Sequence, residues 1–400
     1  MKKNTFVTDT SAVNFQDIFD PKSKYFNHTG KPLYMDGNYY TQLHYKFVNE
    51  RAASRKKGKK CMYPNCNKKP IKSHTIPEAK ALKVISENDH ILYPLFNDST
   101  AEYKMKKDGT GQTSIFPGFC EEHEDLFKGF ECTGNFQDDS IVLQNFRVIC
   151  RDLYFFKSIR RLLQENLNRY RNELNKYHND LVGRSNIKKS FKLQMINDEN
   201  TEHMEKSIEF LNKEITDIVT DFYNPFTAQG DFSITSVSAI ILGELPVCFA
   251  GRSSFEVKNI ETGEIEGIQV ALTVLPYNGQ TFLTFTTKIE YQESFMAIIS
   301  NYNSNIEMLS FIESWMIYGS DYWYIKPSYW ENFVEAKKER ILEDLKINNV
   351  YPVKKLEYSI FDDIRELIIG NERSNDYLDK DDELILEVEG DKLKYFNNLG

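Results

Sequence analysis

KKCMYPNCNKKPIKSHTIP, residues 59–77, and FCEEHE, residues 119–124, decide how the first third of the chain is read. They hold two short-spaced pairs of soft ligands, Cys61-x4-Cys66 and Cys120-x2-His123. Each pair is close enough to sit on one turn, and together they fill the four positions of a tetrahedral zinc ion. A shell closed by four protein ligands belongs to a structural site rather than a catalytic one. Pro64-Asn65 suits the tight turn that brings two thiolates to one ion, and Cys120-Glu-Glu-His123 starts a helix continuing as EDLFKGFE, its acidic first turn matching the helix dipole. The plainer alternative is a set of unconnected buried cysteines and a surface histidine, because 53 residues separate the pairs. Cys132, Cys150 and Cys248 lack a partner at metal spacing and read as buried hydrophobes.

Ser73-His74-Thr75-Ile76-Pro77 lies between the two pairs. A short-spaced Cys pair, a strand ending in His-x-Ile-Pro and a terminal Cys-x2-His opening a helix resemble the zinc-stabilised HNH, or His-Me finger, proteins built on a treble-clef ββα unit. The resemblance covers about residues 59–131. It implies that His74 is the general base for a water attacking a phosphodiester, and that a second cation, Mg2+ or Mn2+, sits beside it on an acidic residue and a polar helix residue. Glu124 falls at that helix position, with Asp125 and Glu131 as further candidates. Ser73 departs from the pattern where Asp or Glu is usual, and a hydroxyl is a poor ligand for a hard divalent cation. The long interval from Cys66 to Cys120 implies an insertion within the finger. The structural alternative for His74 is an imidazole that pins its strand through a backbone carbonyl.

Residues 51–72 carry nine basic and no acidic side chains. Arg55, Lys56, Lys57, Lys59 and Lys60 are the candidate nucleic-acid contacts, since clustered cations neutralise phosphates and release counterions. A solvated loop of like charge fits the same residues. Two functions follow: a metal-dependent nuclease acting on DNA or RNA, by analogy in bacterial or phage conflict, or a non-catalytic zinc-finger module binding nucleic acid or protein.

The chain as a whole is α+β and multi-domain, with expected boundaries at 1–150 (zinc-bearing finger), 151–225 (antiparallel helical hairpin) and 226–400 (β-rich α+β domain). Apolar or aromatic residues at 156, 159, 163, 170, 174, 177 and 181 keep one helical stripe, with Asn166 at the skipped position. Met204, Ile208, Leu211, Ile215, Ile218 and Phe222 repeat it at steps of 4, 3, 4, 3 and 4. Two such helices bury each other's stripes as a coiled-coil-like hairpin and would also serve a homodimer. After Gly230 come SITSVSAIIL, IQVALTVLPY and TFLTFTTKIEY, β-branched and aromatic runs broken by ETGE and YNGQ turns. Phe333, Ala336, Arg340, Ile341 and Leu345 give the face of a helix over 333–347. The acidic stretch around LILEVEGDKLKYF reads as a last surface hairpin. WMIYGSDYWYIKPSYW, residues 315–330, holds all three tryptophans and reads as core, with base stacking as the alternative.

With 50 Lys and Arg against 59 Asp and Glu, the net charge of -9 excludes a nucleic-acid coat, so any such binding is local. No apolar run reaches the ~18 residues of a membrane span and no apolar segment follows the basic start, which gives a cytoplasmic expectation and no membrane partner. Six cysteines in 400 residues are too sparse for a disulfide scaffold. Walker, nucleophile-elbow and HExxH motifs are absent, which disfavours NTP hydrolysis and serine-hydrolase chemistry.

Overall fold

The cysteine-bearing stretches fold around a small antiparallel pair of strands, β1 (Lys72–His74) against Ile115–Pro117, the fourth strand in chain order (β4). Helix α1 (Glu121–Thr133) follows directly. The computed structural model describes residues 59–97, 100, 102–133, 138–184, 199–227, 234–258, 263, 265–302, 304–320, 322–347, 355–374, 378 and 380–396. Arg55, Lys56 and Lys57, like the rest of 1–58, lie outside them.

Between β1 and β4 run a one-turn helix at Glu78–Leu82 and two paired strands, β2 (His90–Asn97) and β3 (Glu102–Gly109). These elements fill the long interval between Cys66 and Cys120, and the two strands belong to a larger sheet. With β5 (Ile234–Leu242), β6 (Val247–Lys258), β7 (Ile265–Tyr277), β8 (Gln280–Lys288) and β9 (Trp323–Ile325) they form seven antiparallel strands in the order β3-β2-β9-β6-β7-β8-β5. Asn278 and Gly279 both take positive φ between β7 and β8, as a two-residue type I′ hairpin requires. The boundaries expected at 150 and 226 therefore do not part the finger from the β-rich region, because β2 and β3 complete its sheet. By contacts, Lys59–Tyr154 and the chain from Asp217 onward form one compact unit, and Phe155–Thr216 belong to another.

One face of the sheet, with Phe249, Phe255, Leu272 and Phe285, packs α4 (Gln292–Ile299), α5 (Asn305–Ser314) and Trp315. The other, through Cys248, Ala250 and Leu275, packs Ile76, Ala81, Leu82 and Ile85 of the insertion together with Val148. Trp315, Trp323 and Trp330 are buried, so the aromatic stretch is core. Helix α2 (Asp138–Arg184) begins in this unit. Its Asn145 side chain meets Thr286, and accepts from the hydroxyls of Thr273 (2.9 Å) and Thr284 (3.2 Å), a buried polar contact that fixes the helix on the sheet.

In the other unit α2 pairs with α3 (Glu199–Ile218). Arg160 Nη1 donates to Asn212 Oδ1 at 3.1 Å and Arg171 pairs with Glu205, so one index falls as the other rises and the helices run antiparallel. Leu167, Tyr170, Ile208, Leu211 and Ile215 are buried, Ile159 is exposed, and the Asn166 carboxamide oxygen is buried without a partner. Leu174, Tyr177 and Leu181 lie outside the described side chains. Among the described residues no helix is long and apolar enough to cross a membrane.

Two C-terminal expectations are corrected. Helix α6 (Glu335–Asp344) turns Lys337, Ile341 and Asp344 inward while Ala336 and Arg340 are exposed, because Lys337 pairs with Asp362 at 2.8 Å. After helix α7 (Asp362–Arg373), the acidic stretch around LILEVEGDKLKYF is helix α8 (Lys380–Asp391) and a 3-10 turn at Lys392–Lys394, rather than a hairpin. Asp381, Asp382 and Glu383 stabilise the α8 start. Buried Leu386 and Glu389 at helical spacing overrule the short alternation in the sequence.

Candidate metal centre and the His74 pocket

Asn65, at φ 59°, turns the chain between the first two cysteines, and the Cys66 amide donates to Tyr63 O at 3.2 Å. The turn is held to the other ligand pair by Met62 N to Gly118 O (2.8 Å) and Ile71 N to Phe119 O (2.7 Å). Gly118 is required there, since a Cβ would lie 2.6 Å from the Phe116 ring. Cys120 precedes α1 and His123 stands in its first turn, so the helix delivers both.

The ligand atoms of Cys61, Cys66, Cys120 and His123 all lie within 4.8 Å of one another. The Cys66 and Cys120 sulfurs are 3.8 Å apart, and His123 Nδ1 is 3.4 Å from Cys61 Sγ and 3.3 Å from Cys120 Sγ. A tetrahedron with zinc–sulfur bonds of about 2.3 Å has edges of about 3.8 Å, slightly shorter where nitrogen replaces sulfur. The Cys3His cluster is thus compatible with a zinc site in both donor chemistry and spacing. Burial, helped by the Cys66 and Cys120 side chains and opposed by the Tyr63 and Cys120 amides, pushes the Cys61 thiol up to about 12. Burial also acts upward on Cys120, but the His123 and Glu122 amides at the helix start and the neighbouring thiols bring it below its ordinary value. Tyr63 stacks on the His123 ring at 4.0 Å between centroids, which orients the imidazole.

His74 ends β1 on the far side of this cluster. Its Nε2 is buried without a hydrogen-bond partner, and Glu78 Oε2 lies 3.6 Å away. Burial, then the charge of Arg147, lowers its pKa against the upward pull of Glu78, Glu131 and the Thr110 backbone, so the ring is neutral at pH 7. Thr110 Oγ1 donates to Glu78 Oε1 at 3.0 Å, which holds that carboxylate in place. Gln144 Nε2 donates to Thr75 O at 2.8 Å, and Tyr322 reaches the same turn through Ser114 Oγ at 2.9 Å.

Glu124 is committed elsewhere. Its Oε2 accepts from Ser73 Oγ at 2.6 Å and its Oε1 pairs with Arg147 Nη2 at 2.7 Å; Ser73 Oγ in turn accepts the Phe119 amide at 3.0 Å. Burial raises the Glu124 pKa while Arg147 and Ser73 oppose the rise. Glu131 Oε1 meets Arg147 Nη1 at 2.7 Å, and Asp125 turns to solvent beside Lys128. The donor set expected for Mg2+ or Mn2+ at Ser73 and Glu124 is therefore occupied by internal bonds and does not fit a divalent ion. Arg147 escaped the sequence reading, although a basic residue flanked by Phe146, Val148 and Ile149 was its visible signal.

Of the basic run, Lys59 lies against the Tyr154 hydroxyl, its ammonium 4.2 Å from the ring centroid, and Lys60 donates to Asn67 at 2.7 Å. Lys60, Lys68, Lys69 and Lys72 are exposed, with Lys68 paired to Glu122. Cys150 and Cys248 are fully buried, as hydrophobes. No family model, no curated protein and no solved structure matches the chain.

Proposed function

We propose that residues 59–133 form a zinc-stabilised finger of HNH type, in which Cys61, Cys66, Cys120 and His123 hold one structural zinc and His74 is the general base for hydrolysis of a phosphodiester in DNA or RNA. The observation that carries this reading is the partnerless, neutral Nε2 of His74 beside the Glu78 carboxylate. A base of this kind takes a proton from water as its oxygen attacks phosphorus; the phosphorus–oxygen bond to the leaving nucleotide breaks, and that alkoxide recovers a proton. Glu78 then faces the imidazolium and steadies its charge. Zinc, when bound, ties the turn at Cys61–Cys66 to the start of α1, and its shell of protein ligands keeps it out of the reaction. No step is assigned to a divalent ion at Ser73 and Glu124.

The test pairs elemental analysis with nicking of plasmid DNA and cleavage of RNA, on parent and His74→Ala chains. The reading expects one zinc per chain in both and cleavage in the parent alone. Zinc without cleavage of either nucleic acid defeats it.

A second reading, a non-catalytic binding module, is favoured by the engagement of Glu124 with Ser73 directly and with Glu131 through Arg147. Here the exposed lysines beside the finger bind the phosphate backbone. It expects binding that weakens steeply with salt and is lost on charge reversal at Lys56, Lys57, Lys59 and Lys60.

A further inference from the structure

Helix α2 turns Gln144, Arg147, Arg151 and Tyr154 along one stripe, at steps of 3, 4 and 3, and this stripe meets the finger. Gln144 holds the backbone after His74, Arg151 lies 3.5 Å over the Tyr322 ring that reaches Ser114, and Tyr154 receives Lys59. Arg147 is the centre of the stripe. Its side chain is fully buried, its two terminal nitrogens each sit 2.7 Å from a different carboxylate, and its guanidinium carbon lies 4.2 Å from the Phe127 ring centroid. Glu124, Phe127 and Glu131 occupy positions i, i+3 and i+7 of α1, so one face of that helix closes on one guanidinium.

We infer that the Arg147 guanidinium is the resident cation of the finger: it occupies, as a positioning residue, the charge position between Glu124 and Glu131, so that the finger takes zinc at its cysteines and no magnesium or manganese beside His74. The inference rests on the finger reading above and deepens it. Two carboxylates that converge on a fully buried side chain, and are themselves only partly exposed, are held together by a cation between them. A mobile ion would leave oxygens and a hydroxyl free to coordinate, whereas here both Glu124 oxygens and the Ser73 hydroxyl are already bonded within the protein. A planar guanidinium also fixes the angle between the carboxylates, which a spherical ion does not. Helix α2 thereby sets α1 against β1, and with it the seat of His74.

Removing the charge and keeping the length of the side chain turns the same carboxylates into a site for a divalent ion. The experiment is Mn2+ binding by electron paramagnetic resonance on the zinc-loaded full chain, for the parent, Glu124→Gln, Arg147→Lys, Arg147→Met and the double variant Arg147→Met with Glu124→Gln. The parent and Arg147→Lys are expected to show no manganese signal that depends on Glu124. Arg147→Met is expected to gain one manganese site, which the added Glu124→Gln abolishes. Manganese bound by the parent and lost in Glu124→Gln overturns the inference. So does an Arg147→Met chain that retains zinc and binds none. Should Arg147→Met fail to fold, the parent and Glu124→Gln comparison decides alone. Manganese binding is read without cleavage, so a chain that nicks nothing defeats the nuclease reading and leaves this one standing or falling by itself.

Discussion

Among the described residues two fully buried arginines each bridge two glutamates, and the two clusters are built differently. Arg365, on α7, joins Glu313 of α5 to Glu389 of α8, with Ser310 and Lys392 closing the ring. All its carboxylates are out of water, two cations balance two anions, and Glu313 also accepts the amides of Ile360 (2.8 Å) and Phe361 (3.0 Å) ahead of α7. Arg147 faces two carboxylates, and these are 16% and 26% exposed. The first cluster is closed and neutral, a bolt between helices. The second retains negative charge beside the partnerless nitrogen of His74. Balance and closure distinguish the two clusters, although the residue types are the same.

The largest effect separates them by metal. On the zinc reading, a chelator is expected to remove a cross-link at the start of α1, and structural zinc contributes of order 10 kcal/mol in isolated fingers. Hydrogen exchange is expected to lose protection over residues 61–74 and 115–133 while 305–314 and 362–391 stay protected. Loss of protection in both regions would show the clusters to be one folding unit.

Arg365→Met comes next. It strands two buried carboxylates, with a cost of about 3–5 kcal/mol in unfolding free energy and no change in zinc content. Arg147→Met costs about half as much, because Glu124 and Glu131 have water to turn to. Urea unfolding followed at the C-terminal helices and at the finger measures both, and equal costs would erase the distinction drawn from exposure.

Acid sharpens the contrast further. The pKa of His74 is lowered in the folded chain, so as pH falls the unfolded chain takes up this proton first. Its contribution to stability is present above the ordinary value of 6.5 and lost as pH falls below it. His74→Gln is expected to flatten that part of the stability–pH curve. On the proposed nuclease reading, the same shift is expected to place the acid limb of cleavage below pH 6.5.

The smallest effect tests the bolt. Ser304 and Glu307 form a reciprocal cap at the start of α5, the helix that carries Ser310 and Glu313. Ser304→Ala is expected to cost about 1 kcal/mol, seen as a lower thermal midpoint with Arg365 still paired.

The Cys3His cluster was legible in sequence because it is set by local spacing: Cys61-x4-Cys66 and Cys120-x2-His123 need only a turn and a helix start. The strands β2 and β3 and the period of α3 were legible for the same reason. Arg147, Gln144 and the sharing of one sheet by β2 and β6 were not, since their partners lie far along the chain and no local period announces them. The tail failed for a third reason. Alternation in LILEVE satisfies a strand template, and only the inward pairing of Glu389 with Arg365 and Lys392 selects the helix.

Strand β9 is three residues long, yet it is the only strand between β2 and β6, with Leu92 opposite Ile325 on one side and Val247 opposite Ile325 on the other. The Leu92–Ile325 pairing joins residues more than two hundred positions apart, a contact of high order that forms slowly because so long a loop must close first. Until it forms, β2 and β6 each present a bare edge rich in apolar side chains, open to pairing with another chain. Trp323–Ile325 is thus the keystone of assembly, and a chain stopped short of it is expected to aggregate even with its zinc ligands all in place.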